Sequence, residues 1–278
     1  MKALKPPEIM DSCIEIGVEK GNGSFLKLAV LGVLAGAFIA MAAAGSNMAA
    51  FNLLASPETY GLGRALAGSV FTVGLMLVVA AGGELFTGNV LMLGTVLEKK
   101  LSLLKMLRNW AIVYVFNLVG SLLVAYIIFA SGLMDSGGSV LGVVTLKIAV
   151  AKTNLDFMPA FYLGILCNWL VCLGVWIAYG AETMTGKLWG CFFPIWLFVT
   201  SGYEHSVANM FYIPAGLFAK TNQAYVDLAN VNPELLNQLT VSGFVGNLIP
   251  VTLGNIVGGS IMVAGAYWLA YKKGTSLK

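Results

Sequence analysis

The chain has 278 residues, of which 58% are hydrophobic and only 10% charged, with a formal net charge of +3. A soluble globular domain carries roughly 25% charged residues, so the composition excludes one and describes an integral membrane protein. The small net charge makes no case for a nucleic-acid partner. The apolar runs lack the alternation of a membrane β-barrel, which leaves an all-α architecture.

Residues 1–24 precede the first apolar run. Pro6 and Pro7 open a predicted helix over 6–20, in which Ile9, Met10, Cys13, Ile14 and Gly17 share one face and Glu8, Asp11, Glu15 and Glu19 take the other. That pattern suits a cytoplasmic helix lying at the membrane interface, and no cleavable signal peptide is visible before the long first run.

The membrane-spanning body is predicted over 25–271, with six spans. The first covers 25–48, where Gly32, Ala35, Gly36, Ala40 and Ala43 recur at three and four residues and permit close helix contact. A loop with Pro57 and Arg64 leads to an apolar stretch over 65–97, too long for one simple span and interrupted at 82–89. The third and fourth spans are predicted over 108–131 and 158–179. Between them, 132–156 reads as a moderately apolar connector carrying Lys147 and Lys152. The fifth span is assembled from 189–200 and 207–218, neither of which crosses about 30 Å of hydrocarbon alone. The sixth covers 241–271, with Pro250 and a glycine-rich middle, and 272–278 form a cytoplasmic tail. Cys13, Cys167, Cys172 and Cys191 fit no metal spacing and read as reduced, buried, small apolar residues, so no metal or cofactor is expected.

Six crossings sort the charges. Lys2, Lys5, Lys20, Lys27, Lys99, Lys100, Lys105, Arg108, Lys187, Lys272, Lys273 and Lys278 fall on one side, against Arg64, Lys147, Lys152 and Lys220 on the other. The positive-inside rule then places both termini in the cytoplasm.

The halves repeat. Asn117-Leu118-Val119-Gly120 recurs as Asn255-Ile256-Val257-Gly258, with Tyr126 and Tyr267 following in similar places. The second and fifth spans are both broken, and each break sets a glutamate five residues before an asparagine: Glu84 and Asn89, Glu204 and Asn209. Three spans per half is an odd number, so the halves are expected to be inverted relative to one another.

A helix stopped inside a membrane leaves backbone groups without partners, which is tolerated only where the site is buried in protein or lines a watery path. The exposed N–H ends favour anions. Two such breaks brought together build a small polar chamber, with Thr87 and His205, the only histidine, as its hydrogen-bonding pair. A glutamate and a histidine are costly at that depth and are functional candidates by default. Glu84 and Glu204 are expected to accept backbone N–H bonds at the breaks. Leu85 and Phe86, flanking Thr87, suit a narrow constriction. The structural alternative is that Thr87 satisfies local backbone, His205 caps a helix break, and Leu85 and Phe86 are ordinary packing. Lys152 is either an anion attractor or a plain loop lysine.

At these residues the chain resembles the formate/nitrite transporter family of anion channels. The resemblance rests on Gly83-Glu84-Leu85-Phe86-Thr87-Gly88-Asn89, Ala151-Lys152-Thr153-Asn154-Leu155, the run 201–211 around Glu204-His205 and the run 247–255. Among the branches, the pattern looks most like the bacterial hydrosulfide channel. The resemblance implies an aquaporin-like six-helix protomer in a homopentamer, in a bacterial inner membrane. It implies Thr87 and His205 facing each other between two apolar slits, with Leu85 at the cytoplasmic constriction and Phe86 at the outer one. Phe71, Leu75, Val171 and Phe198 are further constriction residues, and Lys152 stands behind the outer slit. Gly88-Asn89 departs from the Thr-Ser pattern of the formate and nitrite branches.

The resulting expectation is a passive or proton-assisted channel for small anions of weak acids, with hydrosulfide first, then formate or nitrite. A proton-coupled formate/nitrite transporter and an aquaporin-type neutral-solute channel are the alternatives, although the paired Asn-Pro-Ala turns of aquaporins are lacking. An enzyme is disfavoured, because one histidine and scattered cysteines make a poor metal set and no P-loop pattern occurs.

Overall fold

The computed structural model describes residues 3–273, and every element in it is helical. Lys2, Lys278 and the tail from 274 onward, which entered the charge count and the expected tail, lie outside the described residues.

Helix α1 (Pro6–Gly21) starts on its two prolines, with the Glu8 carboxylate accepting the Lys5 N–H at 2.6 Å. It buries Ile9, Met10, Cys13, Ile14 and Gly17 and leaves Glu8, Asp11, Glu15 and Glu19 exposed. Helix α2 (Phe25–Leu54) is capped by Ser24 and runs past the predicted end at 48. Helix α3 (Tyr60–Leu77) begins before the predicted start at 65 and widens into π-turns over Val78–Gly82. The chain is extended at Gly83, and helix resumes as α4 (Phe86–Asn89), a short 3₁₀ stretch, and α5 (Leu93–Leu97). Helix α6 (Leu103–Ala130) follows, capped by Ser102.

The stretch 132–156, expected as a connector, contains a regular helix, α7 (Val140–Thr153), which packs along a later apolar helix. Its apolar residues recur without a clean stripe because burial extends from Val144 through Leu141 and Leu146 to Val150, more than half of the helix circumference. Then come α8 (Phe157–Gly180) and α9 (Met184–Ser201), which stops at Gly202 in the left-handed region (φ +80°). After an interruption, α10 (Ser206–Ala219) carries the chain on. Two short helices not foreseen in the sequence, α11 (Gln223–Ala229) and α12 (Pro233–Asn237), precede α13 (Val241–Ile256). That helix continues through wide π-turns over Val257–Gly265, into α14 (Ala266–Trp268) and on to Lys273.

Among the described residues, five helices are long and apolar enough to cross a membrane: Phe25–Leu54, Tyr60–Gly82, Leu103–Ala130, Phe157–Gly180 and Val241–Lys273. The expected fifth span is split between α9 and the shorter apolar α10.

Two crossings hold the bundle. Gly120 of α6 approaches α2 so closely that a Cβ there would sit 2.0 Å from the Val33 carbonyl oxygen. Gly258 does the same against α8, where a Cβ would lie 2.2 Å from the Ile165 oxygen. No side chain fits either position, which explains why both recurring Asn-x-x-Gly motifs end in glycine. Tyr126 and Tyr267 do not share this register. Tyr126 is exposed against Phe218, whereas Tyr267 stacks between Trp176 and Tyr271.

Candidate functional site

The two interruptions, at 83–85 and 202–205, are built alike. At the first, the Asn117 side-chain amide donates to the carbonyls of Gly32 and Glu84, each at 2.8 Å, while its oxygen accepts the Phe86 N–H at 2.9 Å. At the second, Asn255 donates to Gly164 and Glu204 at 2.8 and 2.9 Å and accepts the Ser206 N–H at 2.9 Å. Glu84 N–H donates to Leu31 and Glu204 N–H to Leu163. One asparagine therefore satisfies most of what each helix end leaves orphaned.

The glutamate side chains do something other than expected. Glu84 accepts from Asn89 at 2.6 Å and forms a 2.9 Å ion pair with Lys20. Glu204 accepts from Asn209 at 2.6 Å and pairs with Lys152 at 2.7 Å. Asn109 links Asn89 to the Lys20 carbonyl, and Asn247 links Asn209 to the Lys152 carbonyl. Both glutamates are buried, so without a lysine each would be an uncompensated charge. The expected backbone N–H bonds go to Asn117 and Asn255 instead. The two clusters differ in detail: Lys20 and Asn89 share one Glu84 oxygen, whereas Lys152 and Asn209 take different oxygens of Glu204, and Lys20 also donates to Asn89 Oδ1, whereas Asn209 Oδ1 is buried without a partner among the described residues.

Each cluster opens on a cavity. One, of about 290 Å³, is lined by Lys152, Glu204, Phe71, Phe198 and His205. The other, of about 330 Å³, is lined by Lys20, Glu84, Leu75, Val78, Leu85 and Val175. The second cavity is also lined by Gly88, so Leu85 and Gly88 flank Thr87 there as His205 lines the first; Thr87 and His205 are both buried, with Thr87 Oγ1 and His205 Nε2 2.9 Å apart. His205 is also the N-cap of α10: its Nδ1 accepts the Ala208 N–H at 3.0 Å. An accepting Nδ1 places the proton of the neutral ring on Nε2, which donates to Thr87 Oγ1 and leaves the threonine hydrogen available to a third group. Phe198 stacks on His205, and Phe71 meets Phe198 edge-on. On the far side of the pair, the Thr87 carbonyl accepts from Asn168 and Cys172.

A family model described as formate/nitrite transporter matches residues 7–269. The chain belongs to the formate/nitrite transporter family. It is 40% identical to a probable formate transporter of Methanothermobacter thermautotrophicus, covering 96% of this chain and 97% of the relative. It is 39% identical to the formate channel BtFdhC of Bacillus thuringiensis, covering 97% and 96%. A solved pentameric formate channel with formate bound superposes with a TM-score of 0.79 at 36% identity, covering 89% of this chain and 97% of that one. The protein is thus a multi-pass membrane transport protein and not an enzyme.

Within this family frame the structure sorts the residues singled out in the sequence. Thr87 and His205 come together, Phe71 and Phe198 lie on the Lys152 side, and Leu75 and Leu85 on the Lys20 side. Val171 is buried and lines neither cavity. Phe86 also lines neither, contrary to the expected outer slit. Its ring turns sideways onto Trp110 and Tyr114, in an apolar groove between α6 and α13. The reason is local: Leu85 is still extended, while Phe86 begins α4, so adjacent side chains leave in different directions. Among the described residues no group of three or more His, Cys, Asp or Glu is placed to hold a metal.

Lys20 is the residue that sequence reasoning missed. It was counted as a plain basic residue of the leader, yet it mirrors Lys152. Lys20 precedes Leu31-Gly32 by the same eleven residues that separate Lys152 from Leu163-Gly164, a spacing that could have revealed it. Helix α1 consequently supplies a member of the first cluster, as α7 does for the second, and is part of the repeat rather than an appendage to it.

Proposed function

We propose that the chain forms a channel for small monovalent anions of weak acids, with formate the first candidate, assembled as a homopentamer with one path through each protomer. The hydrosulfide preference expected from the sequence gives way to formate because the similar proteins are named for formate. The observation that carries the reading is the buried Thr87–His205 hydrogen bond, with one cavity lined by His205, Phe71 and Phe198 and the other by Leu75 and Leu85, beside Thr87.

The path runs from one cavity past Phe71 and Phe198, across Thr87 and His205, and out past Leu75 and Leu85. An anion shedding water at the apolar layers meets the Thr87 O–H as a donor, and the His205 Nε2–H behind it strengthens that donor by polarisation. Apolar layers a side chain thick keep continuous water out, so passage requires this exchange of partners. Phe86 is left out of the proposed slit. Both termini are cytoplasmic, which puts Lys20 on the inner side and Lys152 on the outer. The matching clusters support six crossings in two inverted halves.

A side-by-side flux assay of formate, nitrite and hydrosulfide in liposomes containing only this protein tests the reading. Formate is expected to pass fastest, and a protein passing none of the three ends the proposal.

A further inference from the structure

The lysine beside each glutamate has a partner, and that changes which residue attracts an anion. On the Lys152 side the charged lining residues are Lys152, Glu204 and Arg64. The ammonium of Lys152 lies 2.7 Å from Glu204, so this pair presents a dipole and no net charge. On the Lys20 side, Lys20 pairs with Glu84 and Lys27 with Glu19, which leaves Lys187 as the one lining cation without a carboxylate within ion-pair distance among the described residues. Each cavity therefore has one unbalanced positive charge, and neither belongs to the lysine of the cluster.

Arg64 is the better built of the two. It is half-buried on α3 and reaches across to α9, where one Nη donates to the Val199 carbonyl. That carbonyl lies in the last turn of α9, beside the slit residue Phe198, and also accepts the Gly202 N–H. A helix C-terminus presents partial negative charge, which would repel an anion at the point where the path narrows. The guanidinium offsets this from the cavity lining and, among the described residues, spends one of its five N–H donors on that carbonyl.

The geometry points to Arg64 as the residue that holds the arriving anion at the Lys152-side mouth, with the Lys152–Glu204 pair serving as framework and not as the attracting charge. This rests on the anion-channel reading above. The ligand class is a small monovalent oxyanion or halide, bound by charge and by guanidinium donors.

Formate flux into liposomes is to be measured at subsaturating formate, at about 10 mM and about 1 M ionic strength set with an impermeant salt, where the Debye length is about 30 and 3 Å. Arg64→Gln is expected to lower flux about threefold or more at low ionic strength, with the gap closing at high ionic strength. Arg64→Lys keeps the charge and is expected to recover most of the loss. Lys147→Gln removes an exposed lysine of α7 outside the cavity lining and is expected to change little. If Arg64→Gln does not assemble, Tyr60→Glu decides. Tyr60 is exposed on the same cavity one turn before Arg64, and a carboxylate there is expected to cancel the charge and reproduce the loss. Wild-type conduction with unchanged flux in Arg64→Gln, or an equal loss in Lys147→Gln, overturns the assignment while the channel reading stands. If the wild type passes no monovalent anion, the channel reading falls. The assignment is then decided by anomalous diffraction from bromide-soaked crystals: bromide beside Arg64, lost in Arg64→Gln or Tyr60→Glu, upholds it, and its absence overturns it.

Discussion

The Tyr114 hydroxyl and Thr252 Oγ1 lie 2.8 Å apart, and the 138 residues between them are the same interval that separates Asn117 from Asn255 and Asn109 from Asn247. Tyr114 and Thr252 are thus one position of the repeat, meeting itself. Two equivalent positions touch only where a two-fold axis passes between them. The contact supports the inverted arrangement of the halves, because an axis lying in the plane of the bilayer exchanges its two sides.

Asn117 and Asn255 are expected to be equally costly to lose. Asn117→Leu strands the Phe86 N–H and the Glu84 carbonyl, and Asn255→Leu strands the Ser206 N–H and the Glu204 carbonyl. Each buried group without a partner costs about 1–3 kcal/mol. Thermal melting in detergent is expected to show similar, large drops in Tm for both variants. A drop in only one would mean that the second interruption is held by other contacts.

The ion pairs are expected to behave as frameworks in stability measurements. Lys20→Met leaves Glu84 as a buried charge, and Lys152→Met does the same to Glu204, for a cost of about 3–5 kcal/mol each. Adding Glu84→Gln to Lys20→Met, or Glu204→Gln to Lys152→Met, is expected to recover part of the loss in a double-mutant cycle. The exposed Lys27–Glu19 pair, at 3.0 Å, is expected to contribute under about 1 kcal/mol by the same measurement.

Leu85→Ala and Phe71→Ala are expected to raise flux and weaken selectivity, because a trimmed apolar layer admits water and lowers the dehydration cost. Phe86→Ala is expected to leave permeation rates unchanged and to lower thermal stability, since its ring packs on Trp110 and Tyr114 and faces neither cavity. Faster flux in Phe86→Ala at matched reconstitution would return it to the slit.

These contrasts show where the sequence was legible. Glu84, Asn89, Glu204 and Asn209 were visible because charged and amide side chains inside apolar runs are costly and must be answered. Thr87 and His205 were visible as the polar residues next to the breaks. What could not be read was direction: nothing in Leu85-Phe86-Thr87 says that the helix restarts between the first two and sends their side chains apart. The partner of Glu84 was hidden for another reason. Lys20 stands on a helix whose two-faced pattern resembles any interfacial helix, and only its contact with Glu84 gives it a role. The helix α7 was hidden because it is buried on several sides, which erases the stripe that marks a surface helix.

His205 is expected to matter through two bonds that point in opposite directions. Its Nδ1 accepts the Ala208 N–H and so caps α10, while its Nε2 proton is directed at Thr87. A proton added at Nδ1 would have to displace the capping bond, so titration of this ring is coupled to the start of α10 and, through Thr87, to an anion at the centre. Asparagine is among the best N-cap residues, so His205→Asn can keep the cap and a donor while losing titration. That variant is expected to assemble and to keep conducting formate. His205→Phe loses the cap, for about 1 kcal/mol, together with the donor. It is expected to assemble and to lose most formate flux. Thr87→Val removes only the hydroxyl but leaves the buried His205 Nε2–H unpaired, at a cost of about 1–3 kcal/mol, and is expected to assemble and to lose flux. Flux assays, paired with melting curves for each variant, separate the two roles. Normal anion flux in both His205→Phe and Thr87→Val would remove the pair from the centre of the path.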